Sequence, residues 1–270
     1  MERREYFEAA DAAYDNPAPE IERCLRELTD RAAAEYGADS SLCASMHSEL
    51  GGFYRGQGRY TDSETEFRTA LRILETALGK DAPDYATGIN NLAGTHRLMG
   101  NYDEAEREFQ EALILYGRSV GEHHVLYASA LNNLSLLCLD RGDLRRAAEC
   151  LQRSSAILSE MPERRDEYAS SICNLAVLDQ RLGRPEDAIR RLTEAVALYE
   201  GPLGTDTPHY HAALTSLGIC YYSLGRLPEA RDAMVHAAGA AKELYGEKHH
   251  EYRRILDYLK AINERMGEQG

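Results

Sequence analysis

Residues 85–105, Y-A-T-G-I-N-N-L-A-G-T-H-R-L-M-G-N-Y-D-E-A, decide the reading of the whole chain, because their pattern returns at a fixed interval. Tyr85, Tyr127, Tyr168, Tyr210 and Tyr252 follow one another at steps of 42, 41, 42 and 42 residues. Gly58, Gly100, Gly142, Gly183, Gly225 and Gly267 keep step with them. A single period along a chain is the mark of a solenoid, in which each unit buries its apolar face against its neighbours.

Each unit reads as two helices, A and B, around its turn glycine. Before the glycine, Ile89, Leu92, Ala93 and His96 stand at spacings of three and four, as do Leu131, Leu134, Ser135 and Cys138, then Ile172, Leu175, Ala176 and Asp179. Such spacings gather side chains on one helix face. After the glycine, Tyr102, Ala105, Phe109, Ala112, Leu113 and Tyr116 repeat the rhythm. The small Ala105, Ala147, Ala188 and Ala230 fall where a bulky side chain would hold A and B apart. Gly37, Gly79, Gly121, Gly204 and Gly246 end helix B and are expected as left-handed C-caps.

The expected fold is all-α, a right-handed α-solenoid of tandem antiparallel helical hairpins. The repeats fall at residues 1–37, a degenerate hairpin, then 38–79, 80–121, 122–162, 163–204 and 205–246, with a capping helix in 247–270. In the degenerate hairpin, Glu2 to Asp15 and Pro19 to Tyr36 are the helices, and Asn16 replaces the turn glycine. The cap carries Ile255, Tyr258, Leu259 and Ile262 on its packing side. The link from Met161 to Tyr168 lacks a glycine, is one residue short and is densely charged, so irregular backbone is expected there.

A formal charge of −14, from 45 acidic and 31 basic residues, disfavours nucleic acid or an anionic membrane as partner. The chain has no apolar run long enough to cross a bilayer, and its first residues are too charged for a secretory signal, so a cytoplasmic protein is expected. The six cysteines show no C-x-x-C pair and read as small buried hydrophobes. His123-His124 and His249-His250 have no third ligand nearby in sequence and read as loop and capping residues. No nucleophile motif, phosphate-cradling loop or metal spacing appears. The expectation is a non-enzyme with no cofactor and no metal.

The in-phase motifs N-N-L-A at Asn90 to Ala93, N-N-L-S at Asn132 to Ser135, N-L-A at Asn174 to Ala176, G-N-Y-D-E-A-E at Gly100 to Glu106 and L-G-K-D-A-P-D-Y at Leu78 to Tyr85 carry a resemblance. The chain resembles the tetratricopeptide repeat in the 42-residue form of kinesin light chains. The resemblance covers essentially the whole chain. It implies a non-enzymatic adaptor whose concave groove, lined by A helices, holds an extended peptide segment of a partner. No heptad coiled coil adjoins the repeats as in kinesin light chains, so motor transport does not follow.

The residues beside the packed face of helix A are then expected to face the groove. They include Ser45, Ser48 and Glu49, then Thr87, Asn90 and Asn91, then Ser129, Asn132 and Asn133, then Ser170 and Asn174, and Thr215 and Ser216. An Asn amide offers two donors and an acceptor, so a ladder of Asn91, Asn133 and Asn174 suits successive peptide groups of an extended ligand. The competing role is structural, the same amides bonding the neighbouring helix backbone. Arg55 and Arg97 lie three residues before their glycines, with Gln180 in the same slot. An arginine there either grips a ligand carboxylate in a bidentate contact or simply complements the helix dipole. Asp179, on a packed face, requires a partner or a raised pKa.

The expected function is protein–protein interaction, binding an extended protein or peptide segment with acidic residues, by a monomer or weak homodimer. The alternatives are a self-assembling scaffold and a regulatory receptor for a signal peptide or small molecule.

Overall fold

The computed structural model describes residues 2–14 and 16–267. Asp15, expected at the end of the first helix, and the last residues of the capping segment lie outside the described residues.

The described residues are helical, in the order α1 (Arg3–Ala13), α2 (Ala18–Tyr36), α3 (Ser41–Gly56), α4 (Tyr60–Leu78), α5 (Pro83–Met99), α6 (Tyr102–Ser119), α7 (Val125–Asp140), α8 (Leu144–Ser159), α9 (Arg165–Arg181), α10 (Pro185–Leu198), α11 (Pro208–Ser223), α12 (Leu227–Tyr245) and α13 (His250–Gly267). The contacts divide the chain into two compact units, Met1–Leu137 and Cys138–Gly270. In unit 1, α1 packs on α2, α3 on α4 and α5 on α6, while α2 meets α3 and α4 meets α5. In unit 2, α9 packs on α10 and α11 on α12, with α8 against α9, α10 against α11 and α13 against α12. Each unit is therefore a run of helical hairpins, the architecture that the period predicts.

The packed faces are those that the spacing assigns. Ile89, Leu92, Ala93 and His96 are buried on α5, and Ile172, Leu175, Ala176 and Asp179 on α9. Ala105, Ala147, Ala188 and Ala230 are each 0% exposed. Phe109 and Tyr116 on α6 are also buried, and removing a side chain as large as Phe109 from water contributes about 1.5–3 kcal/mol. Close approach is pushed further at Gly218, where a Cβ would lie 2.9 Å from the buried Met234 and 3.3 Å from the Ala230 carbonyl oxygen.

Ten glycines have positive φ, and among the described residues no other residue type does. They are the turn and helix-end glycines of the repeat, save Gly267, so the sequence punctuation has a backbone cause. Gly100, at φ 82 and ψ 7, is left-handed, and the Asn101 N–H donates to the His96 carbonyl at 2.9 Å to close α5. Gly79 differs from the expected left-handed cap, as do Gly37, Gly204 and Gly246: Gly79, at φ 82 and ψ 165, and Gly246, at φ 80 and ψ 166, lie in a region that only glycine visits readily. In the degenerate hairpin, Asn16 has no positive φ; its amide nitrogen closes α1 by donating to the Ala13 carbonyl at 3.1 Å.

Three local departures stand out. The link after α8 forms a 3-10 turn at Pro162–Arg164, consistent with its charge and missing glycine. The backbone after α10 loosens into a π turn at Tyr199–Leu203, with Gly201 non-helical, because Pro202 lacks the N–H that a regular helix needs. On α13, Ile255 and Ile262 are buried, but Tyr258 is 39% exposed rather than packed.

Replacing Ala105 by Leu, where no free volume exists, is expected to cost about 1–3 kcal/mol in urea denaturation. Ile114→Ala, on a residue 55% exposed, should stay within about 0.5 kcal/mol of the parent.

Candidate functional site

In unit 1, α3 and α5 present part of the expected groove set to a cavity of about 200 Å³. Its walls include Ser48 and Glu49 of α3, Asp84, Thr87 and Asn91 of α5, and two apolar side chains, Leu74 of α4 and Phe7 of α1. Thr87 is committed to the fold: its hydroxyl donates to the Pro83 carbonyl at 3.0 Å and accepts from the Tyr116 hydroxyl at 2.9 Å. Among the described residues, the amide of Asn91, the Ser48 hydroxyl and the carboxylates of Glu49 and Asp84 make no hydrogen bond or ion pair.

The adjacent Asn90 behaves differently. It is 7% exposed, and its Oδ1 accepts from Asn133 Nδ2 at 3.4 Å, so these two amides link α5 to α7. Ser129 is exposed, and Asn132 and Asn133 are half-buried. Arg55 turns inward: its guanidinium donates to the Asn91 carbonyl at 3.1 Å and lies 5.5 Å from the centre of the Phe67 ring. Burial, first, and the neighbouring Arg97 guanidinium lower its pKa. At Gly94 a Cβ would sit 3.0 Å from the guanidinium, so a side chain there would crowd the Arg55 contact.

In unit 2, Ser170, Asn174, Gln180 and Ser216 are all half-buried on the A helices. Gln180 Nε2 donates to Cys220 Sγ. Thr215 is buried and donates to the His211 carbonyl at 2.7 Å, as a helix side chain without access to a ligand does. Arg181 reaches back to the Leu139 carbonyl. Thus the structure brings Asn91 and Thr87 to one cavity, ties Asn90 to Asn133, and places Asn174 and Gln180 in a separate unit.

Phe7, Leu74, Asp84 and Gly88 are the cavity residues that sequence reasoning missed. Phe7 belongs to the degenerate hairpin and follows Tyr6, which is buried while Phe7 is 43% exposed; Asp84 reads as an ordinary acidic residue in a first helical turn. The histidine pairs are caps, with His124 Nδ1 accepting from the Leu126 N–H and His249 Nδ1 from the Glu251 N–H.

Models described as the tetratricopeptide repeat match residues 41–113, 84–160 and 173–242, together well over half of the chain. The chain belongs to the tetratricopeptide repeat family. A model described as anaphase-promoting complex subunit 5 matches residues 126–200. A search of the curated proteins finds no match. Among solved structures, BtubC (BKLC) from P. vanneervenii is 18% identical with a TM-score of 0.65, over 90% of this chain and 94% of that one. Kinesin light chain-type TPR-like repeats from Podosopora anserina are 20% identical with a TM-score of 0.55, over 74% and 95%. Aspartyl phosphate phosphatase F from Bacillus subtilis is 14% identical with a TM-score of 0.61, over 94% and 70%. At these identities the likeness shows the fold. Tetratricopeptide repeats imply a protein–protein interaction module, and among the described residues no helix is long and apolar enough to cross a membrane.

Within these tetratricopeptide repeats one polar position varies, four residues before the turn glycine, facing a helix B residue twelve further on. In unit 2, Asp179 pairs with Arg191 at 2.8 Å, which supplies the partner that its burial demands. In unit 1, His96, 1% exposed, meets Glu108 through Nδ1 at 2.7 Å and faces Glu64 through Nε2 at 3.4 Å. The hydrogen bond that Glu108 accepts raises the His96 pKa against the opposing effect of burial. With Glu104, His96 and Glu108 place three ligand atoms within 4.8 Å of one another. A divalent ion would have to displace the proton shared by His96 and Glu108, so the grouping reads as an ion network.

The raised His96 pKa has a defined sign. Its stabilisation is complete below the unfolded histidine value of about 6.5 and fades as pH rises through the higher folded value. Urea denaturation from pH 6 to pH 9 should therefore show the parent's advantage over His96→Gln shrinking with rising pH; an advantage that grows would refute the pairing.

Proposed function

We propose that the chain binds an extended peptide segment of a partner protein along the A helices, with the unit 1 cavity as a principal contact. The observation that carries this reading is the free amide of Asn91, which lines a cavity while the Asn90 amide beside it is used within the fold. An amide that donates and accepts suits a peptide group of any sequence, and the cavity adds apolar surface from Phe7 and Leu74 for one side chain. In unit 1 the reading rests on Asn91, because the Asn133 amide donates to Asn90. The reading includes a non-enzymatic role and a cytoplasmic location.

The test is a displayed library of random twelve-residue peptides selected on the full chain. Peptides should be enriched, and Asn91→Ala should weaken them about three- to tenfold, the worth of one or two hydrogen bonds. Its thermal midpoint should stay close to the parent's, whereas Asn90→Ala should lower it. Enriched peptides that bind Asn91→Ala as tightly as the parent would overturn the reading.

A further inference from the structure

We infer that the unit 1 cavity takes a lysine or arginine side chain of the bound peptide, its aliphatic stem against Phe7 and Leu74 and its charged head between Glu49 and Asp84. The inference rests on the peptide reading above and names the charge of its ligand.

Three observations converge on a cation. First, Glu49 and Asp84 line the same cavity and, among the described residues, neither forms an ion pair. Several carboxylates elsewhere in unit 1 are paired, Glu22 with Arg26 and Arg59, Glu64 with Arg68, and Glu66 with His47, whereas these two share one cavity with an apolar wall. Second, the cations nearest in sequence on α1 are engaged elsewhere, Arg4 with Glu8 at 2.6 Å and Arg3 with the Ser41 hydroxyl at 3.3 Å. Arg55, on the neighbouring α3, is held by the Asn91 carbonyl. Third, Phe7 leaves 43% of its surface exposed beside these carboxylates, and an apolar wall next to an acidic head group matches a side chain with a long stem and a charged tip.

The electrostatics agree. Burial, first, and then the Asp11 carboxylate raise the Glu49 pKa, so this side chain holds its charge at a cost that an incoming cation would remove. A partner carboxylate, the charge expected from Arg55 and Arg97 in the sequence, would instead be repelled here.

The probes are the peptides enriched by the library selection, read by fluorescence polarisation on the full chain. They should share a lysine or arginine at one position, and its replacement by norleucine should weaken binding about tenfold or more. Glu49→Gln, and separately Asp84→Asn as a variant on an exposed helix start, should each reduce that discrimination while retaining the parent's thermal midpoint. Enriched peptides without a fixed cation, or discrimination unchanged in both variants, would overturn the inference and leave peptide binding intact. If no peptide is enriched, both readings fall.

Discussion

The structure depends on how closely helix A and helix B of one hairpin approach. Ala105, Ala147, Ala188 and Ala230 have no exposed surface, and Gly218 has no room for a methyl group. Small side chains at this crossing let the larger residues on either side, such as Phe109 and Leu192, close over it. The turn must then reverse the chain within a few residues, which requires the positive φ at Gly100 and its counterparts. The repeat period is the interval at which these two demands recur.

A face so tightly packed admits few charged groups, and the two pairs at one position of it show how they are accommodated. His96 with Glu108 and Asp179 with Arg191 occupy the same position in two hairpins with the charges exchanged. Removing one member leaves a buried charge unpaired, a cost commonly of several kcal/mol, whereas exchanging the whole pair is tolerated more easily. The exchange of sign between hairpins shows that the position selects complementarity rather than a particular residue. His211 in unit 2 supplies the contrary case: burial lowers its pKa, so its effect on stability runs opposite to that of His96 and is lost as pH falls.

The fold was legible because packing repeats. Faces defined by spacing, turns marked by glycine and the irregular third link all follow from local rules. Other features escaped because they depend on neighbours. Asn90 and Asn91 are the same residue side by side, yet the turn of about 100° between them sends one amide to Asn133 and the other to a cavity. The acidic cavity draws Phe7, Glu49 and Asp84 from three helices, and no single motif contains them. Tyr258 satisfies the spacing of a packed face but α13 has a neighbour on only part of that face, which leaves the ring exposed.

What distinguishes this chain from a generic array of hairpins is the set of groups that packing leaves unused. In unit 1 they include an amide and two carboxylates around an apolar floor. The most direct measurement is a crystal structure of the full chain with a lysine-containing peptide. The account predicts the lysine nitrogen at hydrogen-bonding distance from Glu49 or Asp84, about 2.7–3.0 Å, with a peptide group on the Asn91 amide. A peptide bound on the outer face of the B helices, with the cavity empty, would contradict it.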